Sequence, residues 1–143
     1  MRILHVAAAI LISGSLSGAT AAESLRADHP IIGTWKITSP GGSCYEIYWF
    51  RANGTTLVNS ADEVTESEVE ISDQPSPKGF YKWVDKIVRD NGKKDCSGHI
   101  SEIGHVATNY IRFHEFGDRF VICDKEDLNA CIGPFVRMKD SDV

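Results

Sequence analysis

From residue 23 onward no sustained helical period appears in this chain. Apolar residues instead recur at every second position, in short runs cut by turn-forming residues. That pattern restricts the fold more than any single motif does, because alternation puts one face of a strand in a core and leaves the other to solvent. Eight runs follow one another: Ile32–Ser39, Cys44–Arg51, Thr55–Ser60, Thr65–Ser72, Phe80–Arg89, Ala107–Phe116, Arg119–Cys123 and Cys131–Met138. In the first, Trp35 and Ile37 share one face while Thr34, Lys36 and Thr38 share the other. The fourth sets Val69 and Ile71 against Glu66, Glu68 and Glu70, and the fifth gathers Tyr81, Trp83, Asp85 and Ile87. The sixth opposes Ile111 and Phe113 to Tyr110 and Arg112. In the second run Tyr45, Tyr48, Trp49 and Phe50 put aromatics on both faces, so alternation leaves its inward side open.

Turn chemistry supplies the connections. Pro40-Gly41-Gly42-Ser43 is a turn, and Gly117-Asp118 reverses the chain again. Asn53-Gly54 is the strongest hairpin signal, because both residues tolerate the positive φ of a primed turn. Asp73–Gly79 carries two prolines, which remove ladder donors, and is expected to be a loop. Asp90–Gly98 is a polar excursion containing Cys96, while Ile100–His105 is compatible with a short helix, a strand or a loop. An antiparallel sheet of this length has to close or pack on itself to hide its edges. Eight strands make a barrel just wide enough for side chains or one small ligand. The expected architecture is a single all-β domain, residues 23–143, folded as an eight-stranded antiparallel up-and-down barrel with short turns.

Residues 1–22 stand apart. Arg2 precedes an apolar run from Ile3 to Ile12, and Ser13–Ala22 turns small and ends Ala19-Thr20-Ala21-Ala22, an A-x-A cleavage pattern. The run is shorter than the roughly 20 residues a spanning helix needs, and no cysteine follows it to accept a lipid. The expectation is a cleaved secretory signal, no membrane anchor, and a periplasmic or secreted product. Without that segment 14 basic residues face 20 acidic ones, a formal charge of −6, which suits neither nucleic acid nor an anionic membrane surface. The four cysteines, Cys44, Cys96, Cys123 and Cys131, are an even set without the close C-x-x-C type pairs of zinc sites, so two disulfides are expected. Three connectivities exist. The polar, turn-like stretch between Cys123 and Cys131 favours that pair as a hairpin bridge, which leaves Cys44–Cys96.

The first strand opens Gly33-Thr34-Trp35, and Arg137 stands on the last expected strand. This combination resembles the Gly-x-Trp signature of the lipocalins and the wider calycin barrels. The resemblance implies that Trp35 plugs the closed end of the barrel and that Arg137 packs across its ring, a cation–π contact worth roughly 0.5–2 kcal/mol. The chain is shorter than a typical lipocalin and shows no convincing helix between its last strands, so small exported bacterial lipocalin-like proteins are the nearer likeness. Avidin-type barrels also begin with a Gly-Thr-Trp strand, but their full set of polar biotin contacts cannot be placed here.

Two roles from different classes fit such a barrel. As a carrier or sensor of a small apolar molecule it would use Tyr48, Phe50, Tyr81 and Trp83 as cavity wall, against the plainer reading that these aromatics fill a solid core. As a protein-binding module, such as a periplasmic inhibitor or an immunity protein against a hydrolase toxin, it would present Glu66, Glu68 and Glu70 to a basic partner. The plainer reading there is a solvated outer face that discourages edge pairing. The loops Asp73–Gly79 and Asp90–Gly98 are further contact candidates. No enzyme is indicated, since Ser43 lacks a G-x-S-x-G context and oxidised cysteines are not nucleophiles. The spacing of His99, His105 and His114 matches no local metal motif; no metal or other cofactor is expected, and the chain is expected to be a monomer. Asp85, sharing a face with Trp83 and Ile87, becomes a functional candidate if it is buried, because burial raises a carboxyl pKa.

Overall fold

The computed structural model describes residues 21–139, so the segment read as a secretory signal, residues 1–22, lies outside the described residues apart from its last two. Eight strands appear in chain order: β1 (Gly33–Thr38), β2 (Tyr45–Phe50), β3 (Thr55–Ser60), β4 (Glu63–Ile71), β5 (Tyr81–Asp90), β6 (Val106–Phe113), β7 (Arg119–Cys123) and β8 (Cys131–Arg137). Each is antiparallel to the next and β8 returns to β1, giving one closed up-and-down barrel with no helix among the described residues. The β1–β8 seam is short, with Trp35 opposite Arg137 and Lys36 opposite Val136. Pro134, which has no N–H to give, lies just beyond that seam in β8.

Three boundaries differ from the sequence expectation, each for a local reason. In the β2–β3 turn only Gly54 has a positive φ (78°). Its N–H donates to Arg51 O at 3.2 Å and Arg51 N–H donates to Thr55 O at 2.9 Å. A three-residue loop with glycine in the left-handed position therefore joins these strands, not a two-residue primed turn. β3 and β4 are joined by only Ala61 and Asp62, with Ala61 at φ 52° and Ser60 opposite Glu63. The fourth strand thus begins at Glu63, ahead of the expected Thr65. β6 stops at Phe113 rather than Phe116, because His114 N–H donates to Arg119 O and Gly117 N–H to His114 O, both at 2.9 Å, and the chain turns there. Ile100–His105 is loop.

Alternation divides the barrel interior into two unlike halves. Where the N-terminal lead-in, the β2–β3 turn and Arg137 meet, Trp35, Phe50, Val69, Ile111, Phe120 and Phe135 are fully buried. Their rings interlock: Phe120 stacks on Phe135 at 4.8 Å, and Trp35 meets Phe120 edge-on at 4.7 Å. This end is closed. Trp35 Nε1 donates to Ile31 O at 2.7 Å. The Arg137 guanidinium lies 4.1 Å from the centre of the Trp35 ring and donates to Ile32 O (2.9 Å) and Pro30 O (2.6 Å). Gly33, at φ 129°, makes that approach possible, since a Cβ there would lie 2.7 Å from Arg137 Nη1. His29 fixes the lead-in: Nδ1 accepts the Ile31 N–H at 3.2 Å, which leaves Nε2 as the donor to Ser72 O at 3.1 Å. Burial lowers the His29 pKa and keeps this neutral tautomer in place.

The opposite end carries the β1–β2 and β3–β4 turns and two longer loops, residues 91–105 and 124–130. Both disulfides lie there. Cys123–Cys131 joins directly opposed residues of β7 and β8, with Cα atoms 4.0 Å apart. Cys44–Cys96, at 5.8 Å, ties the 91–105 loop to the start of β2. The two disulfides point to an oxidising, non-cytoplasmic environment.

Candidate functional site at the open end

Strands β2 to β6 turn a second set of inward side chains toward the open end. Glu46 (β2), Ser60 (β3), Glu63, Thr65 and Ser67 (β4), Asp85 (β5) and Asn109 (β6) line a cavity of about 200 Å³, with Tyr48 and Trp83 deeper in. Asp95 and Ser101, from the 91–105 loop, complete its rim. The loop is held across this end by Cys44–Cys96 and by three backbone anchors. Cys96 N–H donates to Ser60 Oγ (2.9 Å), Ser101 N–H to Glu63 Oε1 (3.3 Å), and Gly104 N–H to Ile87 O (2.8 Å).

Three carboxylates face inward, and their environments differ. Glu46 is satisfied on both oxygens, by Ser60 Oγ at 2.9 Å and by the Tyr48 hydroxyl at 2.8 Å. Burial and the neighbouring Glu46 raise the Tyr48 pKa well above its ordinary value, so the phenol stays protonated and remains a donor. Asp85 accepts from Ser67 Oγ at 2.8 Å through Oδ1 only. Burial pushes its carboxyl up to about 6, against the opposing pull of Ser67 and His105. Glu63 is only 4 % exposed, and burial raises its pKa as well. Asp85 Oδ2 has no donor among the described residues, whereas Glu63 is bonded by the Ser101 amide and side chain. At the rim, burial alone would push Asp95 up, but bonds from Ser97 and the His99 amide outweigh it and hold the carboxyl below its ordinary value. No lysine, arginine or histidine lines the cavity.

The residues singled out from sequence fall into separate places. Of the aromatic wall, Tyr48 and Trp83 line the cavity, whereas Phe50 lies fully buried beneath them, its ring 5.5 Å from that of Trp83. Tyr81 packs against His29 and Phe113 at the closed end and has no part in the cavity. The four residues therefore do not form one wall. Glu66, Glu68 and Glu70 all point out of the barrel, but the face they share is interleaved with cations. Glu66 pairs with Arg89 and lies 3.8 Å from Arg51, and Glu68 stands opposite Lys86. Only Glu70, opposite Val84, is left as an exposed, unmatched charge. Gly33, Trp35 and Arg137 meet at the closed end as described. Among the described residues no three His, Cys, Asp or Glu side chains lie close enough to hold one metal ion.

Asp85 was legible from its strand face; Glu46 and Glu63 were not. Glu63 was hidden by the two-residue β3–β4 turn, which extends β4 to include it. Glu46 was hidden by the two-sided aromatic pattern of β2. In the structure Tyr45 and Trp49 face outward under cations, Lys36 Nζ 4.4 Å from the Tyr45 ring and Arg51 4.4 Å from the Trp49 ring. Glu46, Tyr48 and Phe50 are left as the inward set. No protein-family model, no curated protein and no solved structure matches this chain.

Proposed function

We propose that the protein is an extracytoplasmic, lipocalin-like barrel that binds a small molecule in the open end of its interior. The observation that carries this reading is the cavity of about 200 Å³, bounded by inward side chains of five strands and spanned at its rim by a disulfide-tethered loop. At about 30 Å³ per water this is room for roughly seven waters, or for one molecule of about ten non-hydrogen atoms. It is smaller than the roughly 300–1,000 Å³ of sites for drug-sized ligands. The walls near the rim are polar and only the deeper part is aromatic, so a compact polar molecule suits the cavity better than the apolar ligand the lipocalin resemblance implies. Rigid barrel walls lose little conformational freedom on binding, which favours affinity from a small contact area. Native mass spectrometry of the unreduced protein, purified from its own compartment, tests the reading. A non-covalent small-molecule adduct that is shed on activation is the expected result; bare protein in every preparation counts against it.

One observation favours a second role, docking of a protein at the same end. The exposed apolar residues Ile100, Ile103, Val106 and Ile132 all belong to segments that rim the open end. A co-purifying protein in the same spectra, released by charge substitutions at Ile103 and Ile132, would support that role in place of the first.

A further inference from the structure

We propose that the open-end cavity is a site for a small organic cation, a protonated amine with a compact apolar body. The ammonium would sit beside Asp85 and Glu63, with Glu46 adding negative charge nearby, and the body would lie against Tyr48 and Trp83. This inference rests on the small-molecule reading and names its ligand class.

The first support is unmatched charge. Buried carboxylates are ordinarily paired, because an isolated charge loses its hydration without replacement. Glu63 is only 4 % exposed, yet its bonds come from the single neutral residue Ser101 and it faces no cation in the cavity. Asp85 has one oxygen without a donor, and no cation of the chain lines the cavity. The contrast is with Arg137 at the other end, whose guanidinium is matched by two carbonyls and a ring.

The second support is independent of the acidic groups. One further cavity-lining residue holds a polar atom that the protein does not satisfy. Trp83 is 5 % exposed and its Nε1–H has no acceptor. Unpaired buried donors are uncommon in folded proteins and call for a partner the chain does not supply. An acceptor on the ligand, such as a hydroxyl, would meet it. The third support is spacing. The carboxylates come from three strands and do not gather into a metal-binding set, which disfavours a point-like divalent ion and suits the spread charge and several donors of an alkylammonium. Aromatic faces at the deeper end add cation–π and apolar contact to such a ligand, and Asp95 at the rim extends the negative potential outward.

Isothermal titration of the folded, oxidised protein near neutral pH tests the proposal with tyramine and its neutral isostere 4-(2-hydroxyethyl)phenol, each about the size of the cavity. Tyramine is expected to bind at one site and the isostere at least about tenfold more weakly. Glu63→Gln is expected to weaken tyramine binding about tenfold or more, with the affinity of the isostere unmoved. Glu68→Gln, on the outer face, should change neither. If Glu63→Gln proves unstable, Asp85→Asn serves in its place. Equal affinity for amine and isostere, abolished by Trp83→Phe, would overturn the cation assignment while leaving the small-molecule reading standing. No binding of tyramine or of 1,4-diaminobutane at millimolar concentration would also overturn it, with the adduct spectra then deciding the broader reading separately.

Discussion

The closed and open ends of this barrel are built from the same strands with the same alternation, and they fill their interiors in opposite ways. At the closed end a tryptophan and an arginine are buried with partners: Trp35 Nε1 has a carbonyl, and Arg137 has two carbonyls and the Trp35 ring. The interior beside Trp35 is filled by the stacked rings of Phe120 and Phe135. At the open end carboxylates and hydroxyls are buried around a void, and the Trp83 Nε1–H beside it has no acceptor. The comparison teaches that polarity alone does not mark a site here. Polarity left unsatisfied beside an unfilled volume does, since a purely structural end has no reason to retain that penalty.

Substitutions at the two ends should separate accordingly, beginning with the largest effect. Trp35→Ala removes the largest buried side chain of the closed end and is expected to destabilise the fold by about 4 kcal/mol in urea titrations, with loss of the cooperative transition at physiological temperature. Replacing both Cys44 and Cys96 by serine opens a loop of 52 residues and should destabilise by about 3 kcal/mol. The same change should expose the 91–105 amides to hydrogen exchange before any other segment. Arg137→Ala leaves the Pro30 and Ile32 carbonyls without a donor and should lower stability by about 2 kcal/mol, with no effect on ligand affinity at the far end.

Asp85 should behave in the opposite sense. Its folded pKa of about 6 lies above the ordinary value of 3.8, so the folded state holds the proton more tightly than the unfolded chain. Stability is therefore highest below about pH 4 for this group and declines as the pH rises through about 6, leaving a deficit of about 3 kcal/mol at neutral pH. Asp85→Asn should remove that slope and raise the neutral-pH midpoint of denaturation; a variant less stable than the parent at neutral pH would show that the carboxylate is structurally required. The smallest effect belongs to the outer face. Glu70→Lys should change stability by less than about 0.5 kcal/mol, because the exposed carboxylate faces only Val84 across the strands.

The closed end was the more legible of the two from sequence. Alternation placed Trp35, Ile111 and Phe113 inward, turn residues separated most of the strands, and the resemblance carried by Gly33, Trp35 and Arg137 implied the closure. These signals are local, and a strand face can be read from them. The open end depends on turn length and register, which propensities do not fix. An unmarked two-residue turn at Ala61-Asp62 decides that Glu63 is part of β4, and the outward placement of Tyr45 and Trp49 decides that Glu46 faces inward. Of the conspicuous acidic residues, Glu66 turns out to pair with Arg89 and to lie near Arg51, and Glu68 stands in register with Lys86, long-range neighbours invisible in a linear reading.

The chain has three tryptophans, one in each relevant setting: Trp35 at the closed end, Trp49 on the outer face, and Trp83 in the open-end cavity. Their indole N–H resonances in a ¹H–¹⁵N spectrum report the three places separately, and tyramine titration of that spectrum tests the central claim most directly. The account predicts that the Trp83 indole signal shifts progressively while those of Trp35 and Trp49 stay where they are. A titration that moves Trp49 or Trp35 and leaves Trp83 unchanged would contradict it.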